Sequence, residues 1–182
     1  MDKKLKAVST VSVALALLGV AAPTMTATSS TVLAAKKKNV KTSDKKARAN
    51  IKTFCNAVYV YDTKKMTSKK IKQRASKLYK IASRSAVQDW VVDRTMSILS
   101  ESSRSRSRIV AAYNNYGSSR NKTVDIYPLS KNYYNVTIIY KEITYKHGRK
   151  SKESHYCNVL RVSTDSKGKI KQVKGLSTSI ME

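Results

Sequence analysis

Between Ser43 and Leu99 the apolar positions of this chain recur every three or four residues, and beyond Ser100 they alternate with polar ones. The first spacing belongs to helices with one buried face, the second to strands with one buried face. Ser43 and Asp44 supply a helix start, and Ile51, Phe54, Cys55 and Val58 follow at i, i+3, i+4 and i+7, so a helix is expected to about Tyr61. A second is expected from Ser68, with Ile71, Ala75, Leu78, Tyr79 and Ala82 on one stripe and Lys69, Lys70, Lys72, Arg74 and Lys77 largely off it. A third, Ala86 to Leu99, carries Val87, Trp90, Val91, Ile98 and Leu99.

After Ser100 the composition shifts toward β-branched and aromatic residues. Arg104, Arg106 and Arg108 alternate with Ser103, Ser105 and Ser107, and the serine face continues into Ile109, Ala111 and Tyr113, which predicts one long strand. Thr123 to Pro128 is a short edge strand, because Pro128 cannot donate to a ladder. Tyr134, Val136, Ile138 and Tyr140 alternate along the next strand, His147-Gly148 marks a turn, and Tyr156, Asn158, Leu160 and Val162 alternate along the return. A last turn, Asp165-Ser166-Lys167-Gly168, leads into a strand with Ile170 and Val173 that continues toward Leu176. Helices followed by consecutive antiparallel strands predict an α+β domain whose N-terminal helices pack on one face of a meander.

Ahead of this domain, Met1-Asp2-Lys3-Lys4-Leu5-Lys6 precedes the uncharged run Ala7 to Ala22. The run is shorter than the about 20 residues that a spanning helix needs, and basic-then-apolar is the pattern of an export signal. Val32-Leu33-Ala34 and Ala35 place small residues where a signal peptidase reads, so residues 1–35 are expected to be removed. Residues 36–42, with Lys36, Lys37 and Lys38, read as a solvated basic linker, and residues 43–182 as one α+β domain. A domain near 150 residues can bury an adequate core without covalent staples. Cys55 and Cys157 can therefore stand either as a disulfide, formed in an oxidising exterior, or as two free thiols.

Charge narrows the choice of partner. The sequence has 37 Lys+Arg against 11 Asp+Glu, a formal net charge of +26, which cleavage of the leader barely changes. Such a surface attracts polyanions over about 8 to 10 Å. Outside the membrane these are anionic wall polymers, acidic protein surfaces and extracellular nucleic acid. No His, Cys or Asp cluster has metal-ligand spacing, and neither a Gly-rich phosphate loop nor a G-x-S-x-G elbow occurs, so no cofactor or metal is expected. Non-catalytic binding or scaffolding at the cell surface is the function expected. On one strand Arg104, Arg106 and Arg108 would share a face at about 6.6 Å intervals, a row of planar donors suited to phosphates or carboxylates.

On element order, on the helix from Phe54 to Tyr61 and on the terminal strand Gly168-Lys169-Ile170-Lys171-Gln172-Val173, residues from about Ser43 to Ser177 resemble the nuclear transport factor 2-like superfamily. The resemblance implies a strongly bent sheet closing a cone around a hollow, which Trp90, Tyr113, Tyr134 and Tyr140 would line. Enzymes of the superfamily imply an Asp or His inside the cone, and Asp125 with His155 is the pair that would serve. Exported members are similar to assembly-factor domains of type IV secretion and conjugation systems, which implies protein scaffolding. Asn56-Ala57-Val58-Tyr59-Val60-Tyr61-Asp62 with the lysines after it also resembles a repeat of bacterial surface-layer attachment domains, which implies anionic wall polymers as ligands. N-terminal sequencing of exported protein is expected to begin at Ala35 or Lys36, and a start at Met1 would overturn cleavage.

Overall fold

Ile51, Phe54, Cys55 and Val58 are all buried along one stripe of helix α1 (Ser30–Tyr59), as their spacing requires. The computed structural model describes residues 30–113 and 123–181, residues 30–42 as backbone only. The chain divides into two compact units, Met1–Asn39 and Val40–Glu182. Residues 1–29, most of the expected export signal, lie outside the described residues, as do the side chains of Lys36, Lys37 and Lys38. The helix begins at Ser30 and not at Ser43, so the backbone of residues 36–42, expected as an arm, is helical. Alanine and lysine are good helix formers, and nothing between Ser30 and Ser43 stops a helix. Among the described residues no helix is long and apolar enough to cross a membrane.

Thr67 caps helix α2 (Ser68–Leu78) by accepting from the Lys70 N–H at 3.3 Å, and Ile71, Ala75 and Leu78 form its buried stripe. The third helical segment departs from expectation in two ways. It comprises α3 (Arg84–Val87), a six-residue π turn (Gln88–Asp93) and α4 (Arg94–Arg104). The π turn has no signature in the apolar spacing. The extension past Leu99 overturns the long strand expected from Ser100: residues 100–108 contain no apolar side chain, so the alternation of serine and arginine there carries no burial signal. Ser102 is buried, and its Oγ hydrogen-bonds Thr63 Oγ1 (2.9 Å) and the Ser107 carbonyl, fixing the end of α4 against a short helical turn at Thr63–Lys65.

The strands are β1 (Tyr61–Asp62), β2 (Ser107–Tyr113), β3 (Val124–Ser130), β4 (Tyr133–Lys146), β5 (Arg149–Thr164) and β6 (Ile170–Met181). They form one antiparallel sheet in the order β1-β2-β4-β5-β6, with β3 also paired to β4. β2 pairs residues 140–146 of β4 and β3 pairs residues 133–138, so β2 and β3 lie end to end along one side of β4. Both expected turns are present. His147 (φ 49) and Gly148 (φ 78) are consecutive left-handed residues, the two-residue hairpin geometry that matches strand twist. The second turn is held by Asp165 Oδ1, which accepts from the N–H groups of Lys167 (2.9 Å) and Lys169 (2.8 Å).

Tyr134, Val136, Ile138 and Tyr140 of β4 face the helices, and their register partners Val162, Leu160, Asn158 and Tyr156 share that face. Their odd-numbered neighbours face away. Cys157, paired with Ile139, is therefore on the opposite side of the sheet from buried Cys55, and both thiols are free. Burial pushes the Cys55 thiol up to about 12. α1 docks on the second turn. A Cβ on Gly168 would lie 2.8 Å from the Ala47 backbone nitrogen, and Asn50 Nδ2 donates to the Gly168 carbonyl at 2.8 Å. Gly168→Ala, which adds this clash to a φ of 78°, is expected to lower unfolding free energy by about 2 kcal/mol or more in urea titrations. Gly148→Ala, with the same φ and no atom within 4 Å, should lose about 1 kcal/mol.

Candidate functional site

The register of β2 on β4, Ser107 opposite Lys146 and Arg108 opposite Tyr145, brings the α4–β2 link beside the His147-Gly148 turn. Arg106 makes that link in a left-handed conformation (φ 48). Thr63 anchors the third wall, because its buried Oγ1 accepts from the Ile109 N–H at 2.9 Å and places Lys64 at the rim. The result is a cleft of about 550 Å³ whose lining includes Lys64, Arg106, Arg108, His147, Tyr145 and Ser103, and among the described residues no carboxylate. Asp62 stands behind it. Arg108 forks onto this carboxylate, Nε to Oδ1 at 2.9 Å and Nη2 to Oδ2 at 2.7 Å, and its guanidinium lies 5.4 Å from the Tyr145 ring centre. That fork fixes Arg108 as part of the wall. Arg106 and Lys64 are exposed, and among the described residues neither is ion-paired. Such a cleft can hold a phosphate or carboxylate against a prearranged set of donors.

The expected row of three arginines does not form. Arg104 is the last residue of α4, Arg106 is in the link, and only Arg108 is in a strand. Two of them meet in the cleft by a different route, joined by Lys64, His147 and Tyr145, which the sequence reading did not connect to them. The adjacency of Asp62 to Lys64 and Lys65 was the available signal, since an aspartate before two lysines caps a short turn; Asp62 Oδ1 accepts from the Lys64 N–H at 3.1 Å.

A second polar group is on the helix-facing side of the sheet. Tyr59 from α1 lies 5.0 Å from Tyr140, ring centre to ring centre, and Tyr140 stacks on Tyr156 at 5.1 Å. Directly after the π turn, Arg94 places its guanidinium 5.3 Å from the Tyr59 ring centre and 3.4 Å from Tyr140 Oη. Asn158, only 4% exposed, donates to Tyr59 Oη at 3.2 Å, and Tyr61 Oη donates to Glu142 Oε2 at 2.5 Å. Burial pushes the Tyr59 hydroxyl up to about 12, and burial followed by the Glu142 charge raises that of Tyr61. Arg94 Nε, Asn158 Oδ1 and Tyr113 Oη are buried and have no hydrogen-bond partner among the described residues. Toward the hairpin this face opens into a cavity of about 490 Å³ lined by Glu101, Glu142, Lys152 and Tyr156 among others.

Of the residues expected around a hollow, Tyr134 and Tyr140 are buried in the core and Tyr113 packs against it. Trp90 is half-buried, and its Nε1 donates to the Val173 carbonyl at 3.2 Å. Asp125 and His155 do not belong to this group. Asp125 is opposite Thr137 and His155 opposite Lys141, both on the outer face. These positions are about 13 Å apart along β4, and strand alternation turns both side chains away from the helices. His155 Nε2 is instead 3.2 Å from Glu153 Oε1. Among the described residues no three His, Cys, Asp or Glu side chains gather as metal ligands.

Its hydrogen bonds with Arg108 hold the Asp62 carboxyl below the ordinary carboxylate range. A depressed folded value adds stability above the unfolded pKa of about 3.9, and that contribution disappears as pH falls through the folded value. Asp62→Asn, which keeps a capping oxygen, is therefore expected to lower the urea midpoint at pH 7 and to approach the parent protein as the pH falls below the unfolded value and through the depressed folded one. A difference that stays constant with pH would assign the loss to packing. Comparison with known proteins gives no match to a family model, a curated protein or a solved structure.

Proposed function

We propose that this is an exported, non-catalytic binding module, retained at the cell envelope by its positive charge, and that anionic wall polymers bind in the cleft at the tip of the β4–β5 hairpin. The observation that carries this reading is a concavity lined by Lys64, Arg106, Arg108 and His147, with no carboxylate among the described residues that line it, on a chain with 37 Lys+Arg against 11 Asp+Glu. A phosphodiester polymer would present one charge after another to this rim, and Tyr145 offers an apolar floor for the units between. The succession of helices and antiparallel strands supports the nuclear transport factor 2-like reading, with the helix-facing side of the sheet as the interior of its cone. A second reading, a small polar ligand held in that interior, is favoured by the unpaired buried atoms of Arg94, Asn158 and Tyr113.

Lys64→Ser with Arg106→Ser is the direct test, measured as elution from purified wall polymer or heparin over a salt gradient. The double variant is expected to elute at lower salt, with the slope of log affinity against log salt reduced by about 1 per lost contact. Lys69→Ser with Lys72→Ser removes the same charge from the exposed face of α2 and should shift elution much less. Equal shifts in the two variants would replace the cleft by diffuse attraction.

A further inference from the structure

A sheet edge offers unpaired N–H and C=O groups to any extended chain, and this sheet covers most of its edges. Pro128 removes a donor from β3, and Arg48 Nη1 occupies the Ile126 carbonyl at 2.7 Å. β1 covers Val110 and Ala111 of β2. The first half of β6 is closed by the helical layer. Ile170 exchanges backbone hydrogen bonds with Ile81 and Ser83, both at 2.8 Å, Ser83 Oγ donates to the Lys171 carbonyl at 2.7 Å, and Trp90 takes the Val173 carbonyl.

Among the described residues none of these devices reaches the second half of β6. Every residue from Lys174 to Ile180 is exposed, and Gly175–Met181 contains neither charge nor proline. After an irregularity opposite Val159 and Leu160, the register from Ser177 to Met181 is regular, so alternate residues turn both backbone groups outward. Ile180, on the helix-facing side opposite Tyr156, is 68% exposed. On the other side Lys174 is directly opposite Arg161, and both are exposed. Like charges facing each other across strands repel, and among the described residues no carboxylate pairs with either.

We propose that the Ser177–Met181 edge of β6 receives an extended segment of a partner protein as an added strand, apolar on the side of Ile180 and acidic on the side of Lys174 and Arg161. The backbone supplies affinity and the two faces supply selection. Charge complementarity identifies the occupant: an acidic strand relieves the Lys174–Arg161 repulsion, whereas a second copy of a chain with a net charge of +26 brings an equally cationic surface to the seam.

The full chain is titrated into a labelled ten-residue peptide of alternating valine and glutamate, read by fluorescence anisotropy. A peptide with proline in place of each valine serves as the equally charged comparison. The valine peptide is expected to bind saturably and at least about tenfold more tightly than the proline peptide. Of Thr178→Pro and Ser179→Pro, the variant whose lost N–H points outward should keep the parent urea midpoint and lose binding by about tenfold or more. Arg161→Glu with Lys174→Glu, which leaves the backbone intact, should reject the valine–glutamate peptide and accept a valine–lysine one. Equal affinity for the valine and proline peptides, a folded outward-facing proline variant with undiminished binding, or a charge-reversed variant without exchanged preference would each overturn the proposal. So would a dimer in light scattering that the same proline variant dissociates, since the edge would then belong to a second copy.

Discussion

Everything positioned in this protein refers to the pleat of the β4–β5 hairpin. β4 has neighbours on both sides, and its two-residue alternation decides which side chains meet the helices and which do not. The left-handed pair His147 and Gly148 pins that alternation at the tip. A slip of one residue would send Tyr134, Val136, Ile138 and Tyr140 outward together, against burial worth about 1.5 to 3 kcal/mol for each large apolar side chain. The same registry brings Arg108 beside Tyr145, keeps Cys157 away from Cys55, and assembles Tyr140, Asn158 and Glu142 on one face.

A protein with so few carboxylates places them with economy. Asp44 pairs with Arg48, whose guanidinium also reaches the Ile126 carbonyl, and Asp62 caps a turn while fixing Arg108. Asp165 organises the turn on which α1 rests, and Glu142 receives the Tyr61 hydroxyl inside the sheet. Glu153 collects Lys150, Lys141 and His155. Each of these acids stabilises local geometry. The cationic excess remains at the surface, where Lys64 and Arg106 stand exposed at the cleft.

Legibility in the sequence followed the apolar side chains. The α1 stripe, the α2 stripe, both turns and the inward residues of β4 and β5 are legible because nearly all of the buried positions are apolar or aromatic and regularly spaced, buried Asn158 being carried by the phase of its neighbours. The stretch 100–108 is illegible because it has no apolar residue to set a phase, and its helical half depends on Ser102 reaching Thr63, a contact between residues far apart in the chain. The π turn before Arg94 is invisible for a related reason: inserting one residue into a helical turn leaves Val91 buried and Trp90 half-buried much as an unbroken helix would. Arg106 and Arg108 were singled out for a row they do not form, while Lys64 and His147 join them only through register and turn geometry. Asp125 and His155 failed as interior residues on parity alone, since each is one step out of phase with the inward set.

The collinear placement of β2 and β3 frees the sheet from the length of the chain between them. Both strands take their alignment independently from β4, which holds Tyr113 opposite Tyr140 and Val124 opposite Ile138. Residues added or deleted between Tyr113 and Thr123, whose carbonyl accepts from the Ile139 N–H at 3.0 Å, would therefore leave both registers on β4 where they are. Two separate registers thus stand on one central strand, and neither sets a length for the chain that joins them.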